Sequence, residues 1–197
     1  LALLGWSPGD DREKMSREEL IEAFTIERAL CSPAQFDIRK LTNMNGAYIA
    51  EMDPADFRAQ IAPFIAKLCP EGVGSPILGK VADLMHSRTK TFADVAHWNY
   101  FFRKADELEY DPKGLKKLLG DDTVRKAVAE FGEKVKTLPS LTVQAIDDLI
   151  HSIEAENGIQ QDKLKQPLRI ASTGSTIGAG ICETIELLGA EESAVRI

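Results

Sequence analysis

Lys165 to Ile197 reads KQPLRIASTGSTIGAGICETIELLGAEESAVRI, and the fold is best read outward from it. An arginine, a Gly/Thr-rich loop and a short amphipathic helix over Gly180 to Leu188 follow one another. That order sets backbone N–H groups at a helix start with a guanidinium nearby, which suits a polar, electron-rich ligand. The loop Gly174 to Gly180 (GSTIGAG) lacks the Gly-Lys-Ser/Thr ending of a phosphate-binding loop, and no strand of convincing length precedes it. On its own it reads as a connector between two short helices.

Upstream, almost every periodic stretch predicts helix. Ser16-Arg17-Glu18-Glu19 is a capping box, opening a helix on which Leu20, Ile21, Phe24 and Leu30 fall near helical spacing. Asp37 predicts the start of a helix through Tyr48, closed by Asn45-Gly46. Asp53-Pro54 begins the next, carrying Phe57, Ile61, Phe64, Ile65 and Leu68. After the Gly/Pro break of Pro70 to Pro76, helices are expected over Ile77–Met85 and Thr91–Phe102, the latter rich in aromatics that build a core. Asp111-Pro112 through Leu119, Asp121 to Lys136 and Thr142 to Asn157 complete the series. The class is therefore all-α, with a minor strand expected near Ala2–Leu4. The chain starts at Leu1 within an apolar segment, so it is expected to be part of a longer protein.

Composition bounds the function. Hydrophobic residues make up 44% and charged residues 28% of the 197, ordinary values for a soluble globular chain. The formal net charge of −7 counts against broad nonspecific nucleic-acid binding, which needs clustered Lys/Arg, while leaving room for local basic patches. Cys31, Cys69 and Cys182 lie far apart, and with His86, His97 and His151 they form no zinc spacing, so no metal is expected. No membrane span or signal peptide is visible, and a cytoplasmic monomer with reduced thiols is expected. Acidic pairs such as Glu18/Glu19 and Asp121/Asp122 sit at helix starts, where the helix dipole accounts for them. No catalytic residues can be assembled, and this chain alone does not read as an enzyme.

Three ordered pieces carry a family resemblance. Pro167-Leu168-Arg169, Thr173-Gly174 and Gly180 to Gly189 resemble the C-terminal anticodon-binding segment of bacterial glutamyl-tRNA synthetases. Phe36-Asp37, Lys40-Leu41 and Asn45 to Ile49 resemble that family's stem-contact helix. Leu1 to Trp6 followed by Ser16 to Arg28 resembles the segment after its active-site loop. Lys14-Met15-Ser16 invites comparison with that Lys-Met-Ser-Lys-Ser loop, but Arg17-Glu18 follow where Lys-Ser should be, so it reads as a helix cap. The family's Pro-Gly-Leu-Phe-Glu loop is here Ala179 to Glu183, and Asn43 replaces a tryptophan.

The resemblance implies a tRNA-binding C-terminal part of such a synthetase. It consists of a stem-contact region over 1–51 and two small helical anticodon-binding domains over 52–110 and 111–197. It implies tRNA(Glu) as partner, no cofactor in this chain, and ATP and Mg in a catalytic domain outside it. Lys40, Asn43 and Asn45 are implied to contact the tRNA stem. Arg169 with Gly178, Ala179, Gly180 and Ile181 are implied to meet the first anticodon base. Arg88 matches the position where an arginine marks synthetases that accept tRNA(Glu) and refuse tRNA(Gln), which differ at the third anticodon base, C against G. A guanidinium offers only donors, matching O2 and N3 of cytosine and opposing N1–H and N2–H of guanine. The alternative is a noncatalytic helical module that binds protein, which the negative charge favours. A helix-terminal arginine such as Arg88 is also explained by the helix dipole alone.

Overall fold

A computed structural model describes residues 3, 5–10, 12–30 and 35–197. Among them the architecture is all-α, ten α-helices joined by loops and 3-10 turns, with no strand. The expected strand near Ala2–Leu4 lies, apart from Leu3, outside the described residues, as does Cys31.

The expected caps organise the helices. In α1 (Arg17–Ala23) Ser16 accepts from the Glu19 amide while the Glu19 carboxylate accepts from the Ser16 amide. Asp37 caps α2 (Ile38–Ala50), Asp53 caps α3 (Pro54–Leu68), and α4 (Leu78–His86) follows the Pro70–Gly72 turn. Asp111 caps α5 (Pro112–Leu118), Asp121 α6 (Asp122–Val135) and Thr142 α7 (Val143–Glu156). Four helices start without a side-chain cap: α4, α8 (Lys165–Thr173), α9 (Ile181–Leu188) and α10 (Ala190–Arg196).

Three expectations are corrected. The first helix ends at Ala23 because Phe24 is extended, so Leu30 is not on it and α1 buries no residue. Asn45-Gly46 does not close α2, which runs on to Ala50. Thr91–Phe102 is not an α-helix but 3-10 turns at Phe92–His97 and Asn99–Phe101. The reason lies in the spacing: Val95, Trp98 and Phe101 are all buried and recur every third residue, the period of a 3-10 helix.

Two buried clusters hold the molecule. The first joins α3, α4 and the 3-10 turns through Phe57, Ile61, Ile65, Val81, Val95 and Trp98. The second joins α6 to α9 through Phe131, Ile146, Ile150, Leu168 and Ile185. Ala179 belongs to the first cluster, and Leu187 and Leu188 of α9 pack against it, so the C-terminal third is wedged onto the first cluster. Arg196, with its side chain 1% exposed, closes the seam. It donates to the carbonyls of Tyr100 (2.7 Å), Ser172 (3.2 Å) and Arg103 (2.5 Å). No described helix is long and apolar enough to cross a membrane.

Candidate functional site

The seam between the two clusters opens as a cleft of about 590 Å³, walled by Arg88, Asn99 and Tyr100 on one side and Thr173, Ser175, Ile177 and Gly178 on the other. Arg88 comes from the turn after α4. Its Nη1 donates to its own helix at Leu84 O (2.9 Å), and its Nη2 lies 3.8 Å from Glu183 Oε1 on α9. Arg169, on α8, donates through Nη1 to Ala179 O, while its Nε has no hydrogen-bond partner among the described residues. Burial pushes the Arg169 guanidinium below its usual range, with Glu183 and Tyr100 acting in the opposite sense.

The loop between α8 and α9 is fixed by its own chemistry. Gly174 ends α8 at φ 75, a left-handed conformation that suits glycine, and its carbonyl accepts from the Asp111 amide at 2.8 Å. A Cβ on Gly178 would come within 2.9 Å of the Tyr100 hydroxyl, so a close approach requires glycine there. That hydroxyl accepts from the Ala179 amide (3.4 Å), and burial raises the Tyr100 pKa.

Arg88, Arg169, Gly178, Ala179, Gly180 and Ile181 are thus brought to one place. Their exposure differs. Gly178 is open and Ile177 beside it is 82% exposed, but the Ala179 and Ile181 side chains lie inside the first and second clusters. Both backbone polar atoms of Ala179 are already engaged. The free N–H groups expected at the start of α9 are also crowded, because the Glu183 carboxylate folds over Gly180. Of these residues Arg88 and Gly178 line the cleft, so the site offers guanidinium donors beside an open glycine, suited to the acceptors of a base edge.

Lys40, Asn43 and Asn45 lie apart, on α2. Lys40 and Asn43 line a second cleft of about 510 Å³ with Glu13 and Tyr48, and Lys40 pairs with Glu13 at 2.6 Å. Asn43 and Asn45 both bond Lys90. Asp147, His151 and Asp162 offer three ligand atoms within 4.8 Å of one another. The Lys165 ammonium sits 2.7 Å from both carboxylates, so a cation of the protein already serves them.

Tyr100, Glu183 and Lys90 were not legible as site residues. Tyr100 reads as one aromatic among several, Glu183 as part of a helical pattern, and Lys90 as a loop lysine. Their partners are up to 96 residues away in sequence, and no local signal reports such contacts.

Fold and seam together define a two-core helical module with its polar cleft where the cores meet. The description "Anticodon binding domain" matches residues 56–197, and the chain belongs to that family. A curated glutamate–tRNA ligase from Rubrobacter xylanophilus is 33% identical over the whole chain, and one from Moorella thermoacetica 34%. The chain spans about 40% of the length of these relatives. The crystal structure of a glutamate tRNA ligase from Elizabethkingia meningosepticum in complex with its amino acid superposes with a TM-score of 0.73 at 25% identity, covering 98% of this chain and 38% of that one.

Proposed function

We propose that this chain is the tRNA-binding, anticodon-recognising part of a glutamate–tRNA ligase, with tRNA(Glu) as its partner. The observation that carries the reading is the meeting of Arg88 and Gly178 on one cleft, with Arg169 bonded to the adjoining Ala179, in a chain of the anticodon-binding family. Residues 1–51 serve as the stem-contact region, and 52–110 and 111–197 as the two anticodon-binding domains. The ligase chemistry, with ATP and Mg, belongs to a catalytic part outside these 197 residues, and the whole works in the cytoplasm as a monomer.

Unstacked bases are read through their pairing edges, and small loop residues let a base approach the backbone. Gly178 supplies the open approach, Arg169 holds the loop, and Arg88 faces the third anticodon base. A net charge of −7 confines attraction for phosphate to local cationic groups. The test is a titration of labelled tRNA(Glu) with the chain across rising salt. The expected result is binding that weakens steeply between about 50 and 200 mM salt. No binding at low salt, or binding indifferent to salt, overturns the proposal.

A further inference from the structure

The residues that resemblance places on the tRNA stem are spent inside the protein. Asn45 Nδ2 donates to the Lys90 carbonyl at 2.5 Å, and Lys90 Nζ donates to Asn43 Oδ1 at 2.7 Å. Next to Asn45, Gly46 packs against Lys90: a Cβ there would stand 3.1 Å from Lys90 Cγ and 3.3 Å from Lys90 Cα. This close approach explains a glycine in the interior of α2, where it costs helix stability.

Lys90 is two residues from Arg88, and the turn that carries both is gripped from several sides. Asp94 accepts from the amides of Lys90 (2.8 Å) and Thr91 (3.0 Å). The Thr89 hydroxyl, on a residue 1% exposed, donates to Met85 O at 2.8 Å. One turn earlier, His86 Nε2 lies 2.7 Å from the Ile49 carbonyl near the end of α2. Ile49 is the buried residue of α2, so this helix is seated on the first cluster at its C-terminal end and on the Arg88 turn along its length. From the opposite flank Arg88 reaches toward Glu183. The turn is therefore the joint between α2 and the cleft.

We propose that Asn43, Gly46 and Asn45 act through Lys90 as positioning residues for Arg88, so that the seating of α2 sets how Arg88 meets the third anticodon base. This rests on the proposed reading of Arg88. α2 holds the Lys90 carbonyl and side chain; the turn holds its shape; Arg88 keeps its place on the cleft wall. A load on α2 is passed to the base reader through a chain of direct contacts, and a displaced turn loosens discrimination before it loosens binding.

The experiment measures the affinities of the chain for tRNA(Glu) and tRNA(Gln) at one salt concentration and takes their ratio. The variants are Asn45→Asp, which sets an anion against the Lys90 carbonyl, and Gly46→Ala, which wedges the contact while favouring helix. Lys90→Met removes the bond to Asn43 and Lys90→Arg restores a donor. Asn45→Asp, Gly46→Ala and Lys90→Met are expected to lower the ratio roughly three- to tenfold, Lys90→Arg to keep it. Combined with Arg88→Gln, Asn45→Asp is expected to lower the ratio no further, since both act on one reader. Circular dichroism checks that each variant folds, and Gly46→Ala carries the test if Asn45→Asp does not. If Arg88→Gln lowers the ratio but the α2 variants weaken both tRNAs equally, Asn43 and Asn45 are direct RNA contacts and the positioning role is overturned. If Arg88→Gln leaves the ratio unchanged, the reading of Arg88 fails instead.

Discussion

Arg169 shows how one side chain is divided between structure and recognition. Its guanidinium holds the Ala179 carbonyl, burial lowers its pKa, and a guanidinium carries only donors, so it braces the loop whose Gly178 lines the cleft. Removing it frees the loop and takes away a cation together. Arg169→Ala should weaken tRNA binding by about 1–3 kcal/mol, read as the shift in Kd at fixed salt. Unchanged affinity with a lowered melting temperature would make the residue a loop brace alone. Arg88 differs in that its ties are looser: one bond to its own helix and a 3.8 Å approach to Glu183 leave most of its donors uncommitted. Glu183, folded over Gly180, lies 3.8 Å from Arg88 Nη2.

Among the elements, the α8–loop–α9 unit depends on a single backbone conformation. Gly174 is left-handed, and a Cβ there would collide with the Glu109 backbone while the Gly174 carbonyl is bonded to Asp111. Gly174→Ala should cost about 2–4 kcal/mol of stability, seen as a lower urea midpoint with unchanged helical content in the folded state. A melting temperature equal to the parent's would contradict this. The same elements show what the sequence could tell. Asp37, Asp53, Asp111, Asp121 and Thr142 were legible as caps because a cap is written within three residues of its helix. Asn45-Gly46 was misread because its local signal is that of a helix end, whereas the glycine answers a contact with Lys90, 44 or more residues away. The Phe92–Phe101 stretch was misread because a three-residue period differs little from 3.6 over so short a span. Arg88, Arg169 and the 178–181 loop could be picked out by resemblance, but their convergence could not, since it depends on how α9 wedges between the clusters.

For the whole molecule, stability and recognition answer to different conditions. Burial pushes the Cys69 and Cys182 thiols up to about 11, against about 8.5 for a thiol in an unfolded chain. Between those values the unfolded state loses protons that the folded state keeps. Stability from these thiols is therefore fully present at neutral pH and declines as pH rises from about 8.5 toward 11. Urea unfolding across that range should show the decline, and the double variant Cys69→Ala with Cys182→Ala should flatten it. An equal slope in both proteins would place the alkaline sensitivity elsewhere. Below neutrality the sign reverses: the Lys165 hydrogen bond holds Asp147 below its usual range, so that contribution is lost as acid protonates the carboxylate. Recognition should be little affected near pH 7, because its cations are arginines. In the proposed function, the cleft reads an anticodon base through Arg88. This reading is tested most directly by measuring Kd for tRNA(Glu) and tRNA(Gln), at one salt concentration, with the parent chain and with Arg88→Gln. The parent is expected to prefer tRNA(Glu) by roughly ten- to hundredfold, and Arg88→Gln to bring the ratio toward one while tRNA(Glu) still binds. A ratio that Arg88→Gln leaves unchanged, with binding intact, would contradict it.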